Sequence, residues 1–159
     1  MLMKQEKPKL AIICGLPGSG KTTLAKRIAK EISGVRLCPD EWMGDMEVSL
    51  WDGTYRDRLE KRLWKLGQEL LGLGQSVVVE FGSWAKTERD ELLRGGRASN
   101  AEVDLYCIDP PLDEIRRRLT KRGMEGDDVV LDKLEEYSDK FERPDAIEQG
   151  LYDSFTILQ

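Results

Sequence analysis

The chain has 159 residues, room for one well-packed domain but not for two of ordinary size. Hydrophobic residues make up 40% and charged residues 35%, a globular balance that excludes a disordered chain. Its 25 Lys and Arg against 30 Asp and Glu leave a net charge of −5, which disfavours nucleic acid and anionic lipid as default partners.

Lys9-Leu10-Ala11-Ile12-Ile13-Cys14 is an apolar run that stops at Gly15, the pattern of a buried strand. Residues 21–33 follow as a helix, with Leu24, Ile28 and Ile32 on one face and Gly34 closing it. Residues 35–38 form a short second strand that ends at Pro39. Residues 40–53 read as irregular or partly helical, a long connection of the kind that often carries function. Residues 54–73 form a long helix with Leu59, Leu63, Leu66, Leu70 and Leu73 in one stripe, ended by Gly74. A third strand, 76–81, carries Val77-Val78-Val79, buried on both faces. Residues 86–97 are helical, and residues 103–108 form a fourth strand closed by Asp109-Pro110-Pro111. A helix over 112–122 precedes a polar, glycine-containing break at 123–128. A further helix spans 130–141 and ends before Pro144, and 154–158 is a last strand. Continuous apolar strands separated by helices predict an α/β fold, a parallel sheet covered on both faces in three layers.

No apolar run reaches the roughly 20 residues that span a bilayer, and residues 1–9 are charged, without the apolar centre of a secretory leader. The three cysteines, Cys14, Cys38 and Cys107, fall at strand ends with no close pair. They read as small buried hydrophobes, with neither a disulfide framework nor a structural zinc site, in a cytoplasmic protein. Histidine is absent, which removes every mechanism with a His base, nucleophile or metal ligand.

The sharpest motif is Gly15-Leu16-Pro17-Gly18-Ser19-Gly20-Lys21-Thr22, a full G-x-x-x-x-G-K-[ST] between a strand and an amphipathic helix. Such a loop turns backbone N–H groups inward around phosphates, and the helix start adds its positive dipole end. Lys21 is expected on the β- and γ-phosphates of ATP and the Thr22 hydroxyl on Mg²⁺. Thr23 either contacts the α-phosphate or supports the first helical turn. No N-K-x-D guanine motif is present. Leu71-Gly72-Leu73-Gly74-Gln75 lacks the serine of the transporter-ATPase signature and closes a helix instead of opening one. The chain is also too short for a ring-forming ATPase with its extra helical domain.

With this loop, the order of the remaining segments resembles small bacterial P-loop kinases, AAA-type ATP-binding proteins that include zeta toxins, chloramphenicol phosphotransferase, gluconate kinase and polynucleotide kinases. The segments are Cys38-Pro39-Asp40-Glu41, Val78-Val79-Glu80 with Phe81-Gly82-Ser83-Trp84, Lys86-Thr87-Glu88-Arg89-Asp90, Arg118-Leu119-Thr120-Lys121-Arg122 and Phe141-Glu142-Arg143-Pro144. The resemblance covers nearly the whole chain. It implies a single P-loop kinase domain over 1–159, a five-stranded parallel sheet in the order 2-3-1-4-5, and a lid at about 118–130.

The resemblance makes Asp40 the acceptor of the substrate hydroxyl's proton; the alternative is that Asp40 caps the helix after Pro39. Glu41 reads as solvated. Polynucleotide kinases place an arginine shortly after this Asp, whereas Trp42 and Met43 stand here. Glu80 is expected to hold Mg²⁺, directly or through water, or to bind acceptor hydroxyls. Arg118 and Arg122 match the arginines that a lid brings to ATP, with Gly123 and Gly126 letting the lid move. Arg116, Arg117 and Lys121 read as a solvated helix end. Trp42, Trp51 and Trp84 fall in loops at the strand C-terminal edge, where they either wall a cyclic acceptor or fill the core; Trp64 is packing.

The implied activity is transfer of the γ-phosphoryl group of ATP to a hydroxyl of a small molecule such as a sugar, nucleoside or antibiotic-like acceptor. A 5′-hydroxyl nucleic-acid kinase and a non-catalytic ATP-binding switch are the rivals. Nucleic acid and membrane are not expected as partners, and the oligomeric state is open.

Overall fold

The central strand, β1 (Lys9–Gly15), is buried from Leu10 onward on both faces, so the sheet built on it has to be covered on both sides. The computed structural model describes residues 6–159. The charged segment read as lacking a leader's apolar centre lies partly outside them. Four further strands, β2 (Val35–Leu37), β3 (Val77–Gly82), β4 (Glu102–Ile108) and β5 (Ser154–Leu158), complete an all-parallel sheet in the order β2-β3-β1-β4-β5. This is the three-layer P-loop fold and the strand order that the resemblance implied.

Alternation along the strands sorts the core into two layers. Ala11, Ile13 and Val78 pack on Leu24, Ala25 and Ile28 of α1 (Lys21–Glu31). On the other face Leu10, Ile12, Val77 and Val79 meet Leu59, Leu63, Trp64 and Leu71 of α3 (Gly53–Gly72) and Leu92 of α4 (Lys86–Ala98). Ile115 and Leu119 of α5 (Leu112–Arg122) join this layer. Burying an aliphatic side chain of this size contributes about 1.5–3 kcal/mol, so this patterning holds the sheet. Cys14, Cys38 and Cys107 are free and buried, packed as small hydrophobes.

Two elements depart from the sequence reading, and in the partly helical connection one alternative for Asp40 falls away. The connection after β2 begins with α2 (Pro39–Asp45), whose N-cap is Cys38 and whose first position is Pro39. Asp40 is therefore not the cap, because Pro39 already occupies the position that its fixed φ favours. The helix expected over 130–141 starts earlier and is two pieces, α6 (Asp127–Asp132) and α7 (Leu134–Lys140). Between them the Lys133 N–H donates to the Val130 carbonyl at 3.1 Å, an i−3 bond that tightens the turn. A short α8 (Ala146–Gln149), capped by Asp145, is too brief to show a period.

β1 has β3 on one side and β4 on the other, so successive crossovers leave it in opposite directions. That opens a crevice at the strand C-terminal edge, where open α/β sheets bind ligands. Among the described residues no helix is long and apolar enough to cross a membrane.

Candidate active site

The glycine-rich loop sits in that crevice, between β1 and α1. Gly20, the N-cap of α1, has φ +104°, a conformation that leaves the helix's first N–H groups facing outward with no side chain in the way. Lys21 Nζ lies back over the loop and donates to the Leu16 carbonyl at 2.8 Å. Burial pulls its ammonium down to about 8, against the opposing charges of Glu80 and Asp40. Ser19 is buried, and its Oγ has no partner among the described residues. Ser19, Gly20, Thr23 and Arg118 line a groove of about 460 Å³ that runs to Ile108, Pro110 and Leu158.

Glu80 closes the buried part of β3. Its Oε1 accepts from the Thr22 hydroxyl, and its Oε2 accepts from Arg36 Nη1 at 2.7 Å. A hydroxyl and a carboxylate side by side at a helix N-terminus are hard oxygen donors of the type Mg²⁺ takes, and they suit that ion. Among the described residues no three carboxylates or other ligating side chains converge, so such an ion would draw its remaining ligands from phosphate and water. Arg36, missed in the sequence, also reaches Glu41, which is thus ion-paired, not merely solvated.

Asp40, in the first turn of α2, keeps 61% of its side-chain surface exposed and accepts from Arg56 on α3. An arginine does stand beside this carboxylate, but it comes from 16 residues further along and not from the positions of Trp42 and Met43. Only the packing of α2 on α3 brings it there. Arg56 also lies 3.9 Å from Glu60.

The two arginines of α5 have different settings. Arg118 donates to the Ser19 carbonyl at 2.8 Å and to Glu114 at 2.8 Å, so it already touches the glycine-rich loop. Arg122 is held by both oxygens of Asp127, whose Oδ2 also accepts from the Met124 N–H at 3.0 Å. The segment after α5 is thereby tied to its own helix end. Arg117 is paired with Glu114 at the surface.

The tryptophans do not form one wall. Trp42 and Trp51 are exposed, but Trp84 donates its indole N–H to the Gly15 carbonyl at 3.0 Å and packs on Tyr137, with ring centroids 5.2 Å apart. Its role in the structure is to support the start of the glycine-rich loop. Trp64 is packed, as expected.

Arg89 is the residue that sequence reasoning missed most completely. It lies on a helix dense in charge, where a surface role is the default. It is instead fully buried and bonded at every N–H group, to both Glu148 oxygens and to the carbonyls of Ser83, Trp84 and Glu142 at 2.6–3.0 Å. This fork fixes the turn that follows β3 and so the floor of the crevice.

A family model described as an AAA domain matches residues 10–144. The chain belongs to the AAA domain family AAA_33. The guanylate kinase of Oceanobacillus iheyensis is 27% identical to this AAA domain over 164 residues, spanning 91% of this chain and 79% of that protein. Kti12 of Chaetomium thermophilum, solved in complex with ADP-AlF3, superposes with a TM-score of 0.71 at 16% identity over 94% of this chain and 88% of its own. A sugar kinase from Janibacter sp. superposes at 0.67 and 21% identity, over 96% and 85%. A chain of the Pnkp1/Rnl/Hen1 RNA repair complex superposes at 0.66 and 23% identity; 86% of this chain is covered, but it spans about half of that one (47%). These likenesses show that the AAA domain has the P-loop kinase fold.

Proposed function

We propose that this AAA domain is an ATP- and Mg²⁺-dependent phosphotransferase that acts on a hydroxyl group of a small molecule. In this reading residues 1–159 form one cytoplasmic kinase domain with a lid at 118–130. The observation that carries it is the pairing of Thr22 with Glu80 beside Lys21, with an exposed carboxylate, Asp40, close enough to raise the Lys21 ammonium's affinity for its proton.

The glycine-rich loop from Gly15 to Gly20, with Pro17, Gly18 and Ser19 between, cradles the phosphates through its N–H groups, and the orphaned Ser19 hydroxyl gains an acceptor. Lys21 leaves the Leu16 carbonyl for the β- and γ-phosphates. The nucleoside lies in the groove between Thr23, Arg118 and Pro110. Thr22 and Glu80 would hold Mg²⁺, which when bound would neutralise phosphate charge. Arg36 keeps the Glu80 carboxylate in place. Asp40 orients the acceptor hydroxyl and takes its proton, with Arg56 fixing the carboxylate's direction. A phosphoryl transfer with a loose transition state asks more of positioning than of basicity, so an ion-paired carboxylate suffices. Arg118, and Arg122 once freed from Asp127, supply charge to the transferring group.

A second reading has a phosphate as the acceptor. It is favoured by the O. iheyensis relative, a guanylate kinase, and by Arg56 standing beside Asp40. The test is ATP turnover against a panel of sugars, amino sugars, nucleosides, nucleoside monophosphates and 5′-hydroxyl oligonucleotides. Stimulation by an alcohol without a phosphate supports the proposal. Stimulation by a monophosphate alone favours the second reading, stimulation by oligonucleotides alone a nucleic-acid kinase, and no stimulation by any of them a non-catalytic switch.

A further inference from the structure

Beside the crevice, between the first halves of α3 and α4, lies a second cleft of about 120 Å³. Its floor is Phe81 and Ser83, the residues that follow Glu80, and Trp64 and Leu92 supply apolar walls. Asp57, Glu60, Glu88 and Glu91 line it, with Lys61 as the one cationic side chain among its lining residues. Lys61 is taken up by Asp57 at 2.8 Å. The cleft adjoins the Asp40 side of the crevice, with Arg56 standing between Asp40 and Glu60 and reaching both.

An acidic rim alone is an ordinary solvated surface. Two observations set this one apart. Ser83 is 4% exposed, and its Oγ has no hydrogen-bond partner among the described residues, an uncompensated polar group in the floor of the cleft. Glu60 is largely covered, and its burial pushes the carboxyl up to about 7 even though Arg56 pulls it down; Glu88, Asp57 and Asp40 add to the rise. Glu60 has only the long 3.9 Å contact with Arg56 against its burial, and the Ser83 hydroxyl has no partner among the described residues. The carboxylates do not converge on a point as ligands of a bare metal ion would. They are spread around aromatic and aliphatic surface, which matches an organic ammonium whose carbon skeleton packs on Trp64 and Phe81.

We propose that the acidic cleft between α3 and α4 binds the ammonium end of an amine-bearing acceptor, an amino sugar or aminocyclitol, whose hydroxyl then reaches Asp40. This rests on the kinase reading for the hydroxyl but not for the amine. The amine is held by Glu60 and Glu91 with Glu88 nearby, and the Ser83 hydroxyl takes up a polar group of the bound molecule. An anionic acceptor is disfavoured on the same ground, since Glu60, Glu88 and Glu91 line the cleft while its one lining cation, Lys61, is taken up by Asp57.

The experiment measures binding and turnover separately. Neamine, an amino sugar joined to an aminocyclitol, spermine, an amine without hydroxyls, and glucose, a neutral sugar, are titrated into the protein by calorimetry at low salt. The same titrations use Lys21→Ala, in which phosphotransfer is removed but the cleft is intact. Neamine and spermine should bind both proteins, glucose neither, and Glu60→Gln and Glu91→Gln should each weaken amine binding about tenfold. Glu91 is exposed, so that variant does not test folding. Glucose binding as tightly as neamine, or amine affinities unchanged in both variants, would overturn the proposal. ATP turnover with neamine then tests the kinase reading by itself: amines that bind in the cleft without being phosphorylated leave the cation site supported and remove the alcohol-kinase assignment for this class.

Discussion

Trp51 lies across Gly126 so closely that a β-carbon on Gly126 would come within 2.5 Å of the indole Cζ2. The contact joins the connection between α2 and α3, on the acceptor side, to the segment after α5. Gly126 also has φ +87°, so a side chain there meets both strain and collision.

Gly126→Ala should loosen this join. The backbone strain is about 1–2 kcal/mol, so hydrogen exchange of the amides in 124–130 should speed up by about 5–30-fold. In a Trp51→Ala background the collision is gone and the added effect of Gly126→Ala should shrink. Exchange rates that Gly126→Ala leaves unchanged would show that the contact holds nothing.

Lys21 gives a pH dependence with a definite sign. Its ammonium is pulled down to about 8 by burial, and bound triphosphate should return it toward the ordinary value of 10.5. Binding then takes up a proton between those two values, so ATP affinity should fall as pH rises through about 8, approaching tenfold per pH unit. Glu80, Asp40, Cys14 and Cys38 face the same group and shape the profile. Lys21→Ala should flatten it and cost about 2–4 kcal/mol of transition-state stabilisation. Calorimetry from pH 7 to 10 on both proteins checks this; matching profiles would exclude Lys21 as the titrating group.

Asp40 is the second residue of α2 and not its cap, which simplifies its test. Asp40→Asn and Asp40→Ala should both lower phosphotransfer by about 10²–10⁴-fold, while the loss of an exposed pair with Arg56 changes stability by no more than about 1 kcal/mol. Activity surviving in Asp40→Asn would remove it as the proton acceptor.

Arg122 and Asp127 hold each other in this structure, so the lid assignment requires that pair to open. Asp127→Asn should free Arg122, and Arg122→Ala should lower kcat more than ATP affinity. Arg122→Lys should not rescue it, because an ammonium lacks the planar fork. Arg117→Ala, at a surface pair, is the control. A normal kcat in Arg122→Ala would return Arg122 to a purely structural pairing.

Arg89 and Glu148 form a buried pair, and removing one partner strands the other. Arg89→Met should destabilise the fold by about 3–5 kcal/mol, measured by denaturant unfolding. Glu148→Gln, which keeps the shape and one acceptor, should cost less. A small effect of Arg89→Met would mean that the turn at Ser83 and Trp84 is held by other contacts.

The sequence alone determined the sheet, its covering helices and the phosphate loop, because each is written in local signals. The apolar run of β1 and the Val77-Val78-Val79 triplet can be satisfied only by burial on both faces. The spacing from Gly15 to Thr22 encodes the phosphate-binding turn within eight consecutive residues, although Trp84 and Arg118 then brace it from a distance. The partners of the charged groups were decided by tertiary structure. Arg56 reaches Asp40 because α2 packs on α3, Arg36 reaches Glu80 because β2 pairs with β3, and Arg89 meets Glu148 across 59 residues of chain. Charge on a helix reads as solvated in any linear pattern, since hydrophobic periodicity reports which face is apolar and says nothing about which carboxylate will arrive from elsewhere. The same limit hid the acidic cleft. Asp57, Glu60, Glu88 and Glu91 belong to two polar helix faces in the sequence, and they become one electrostatic environment only when α3 and α4 come together over Phe81 and Ser83.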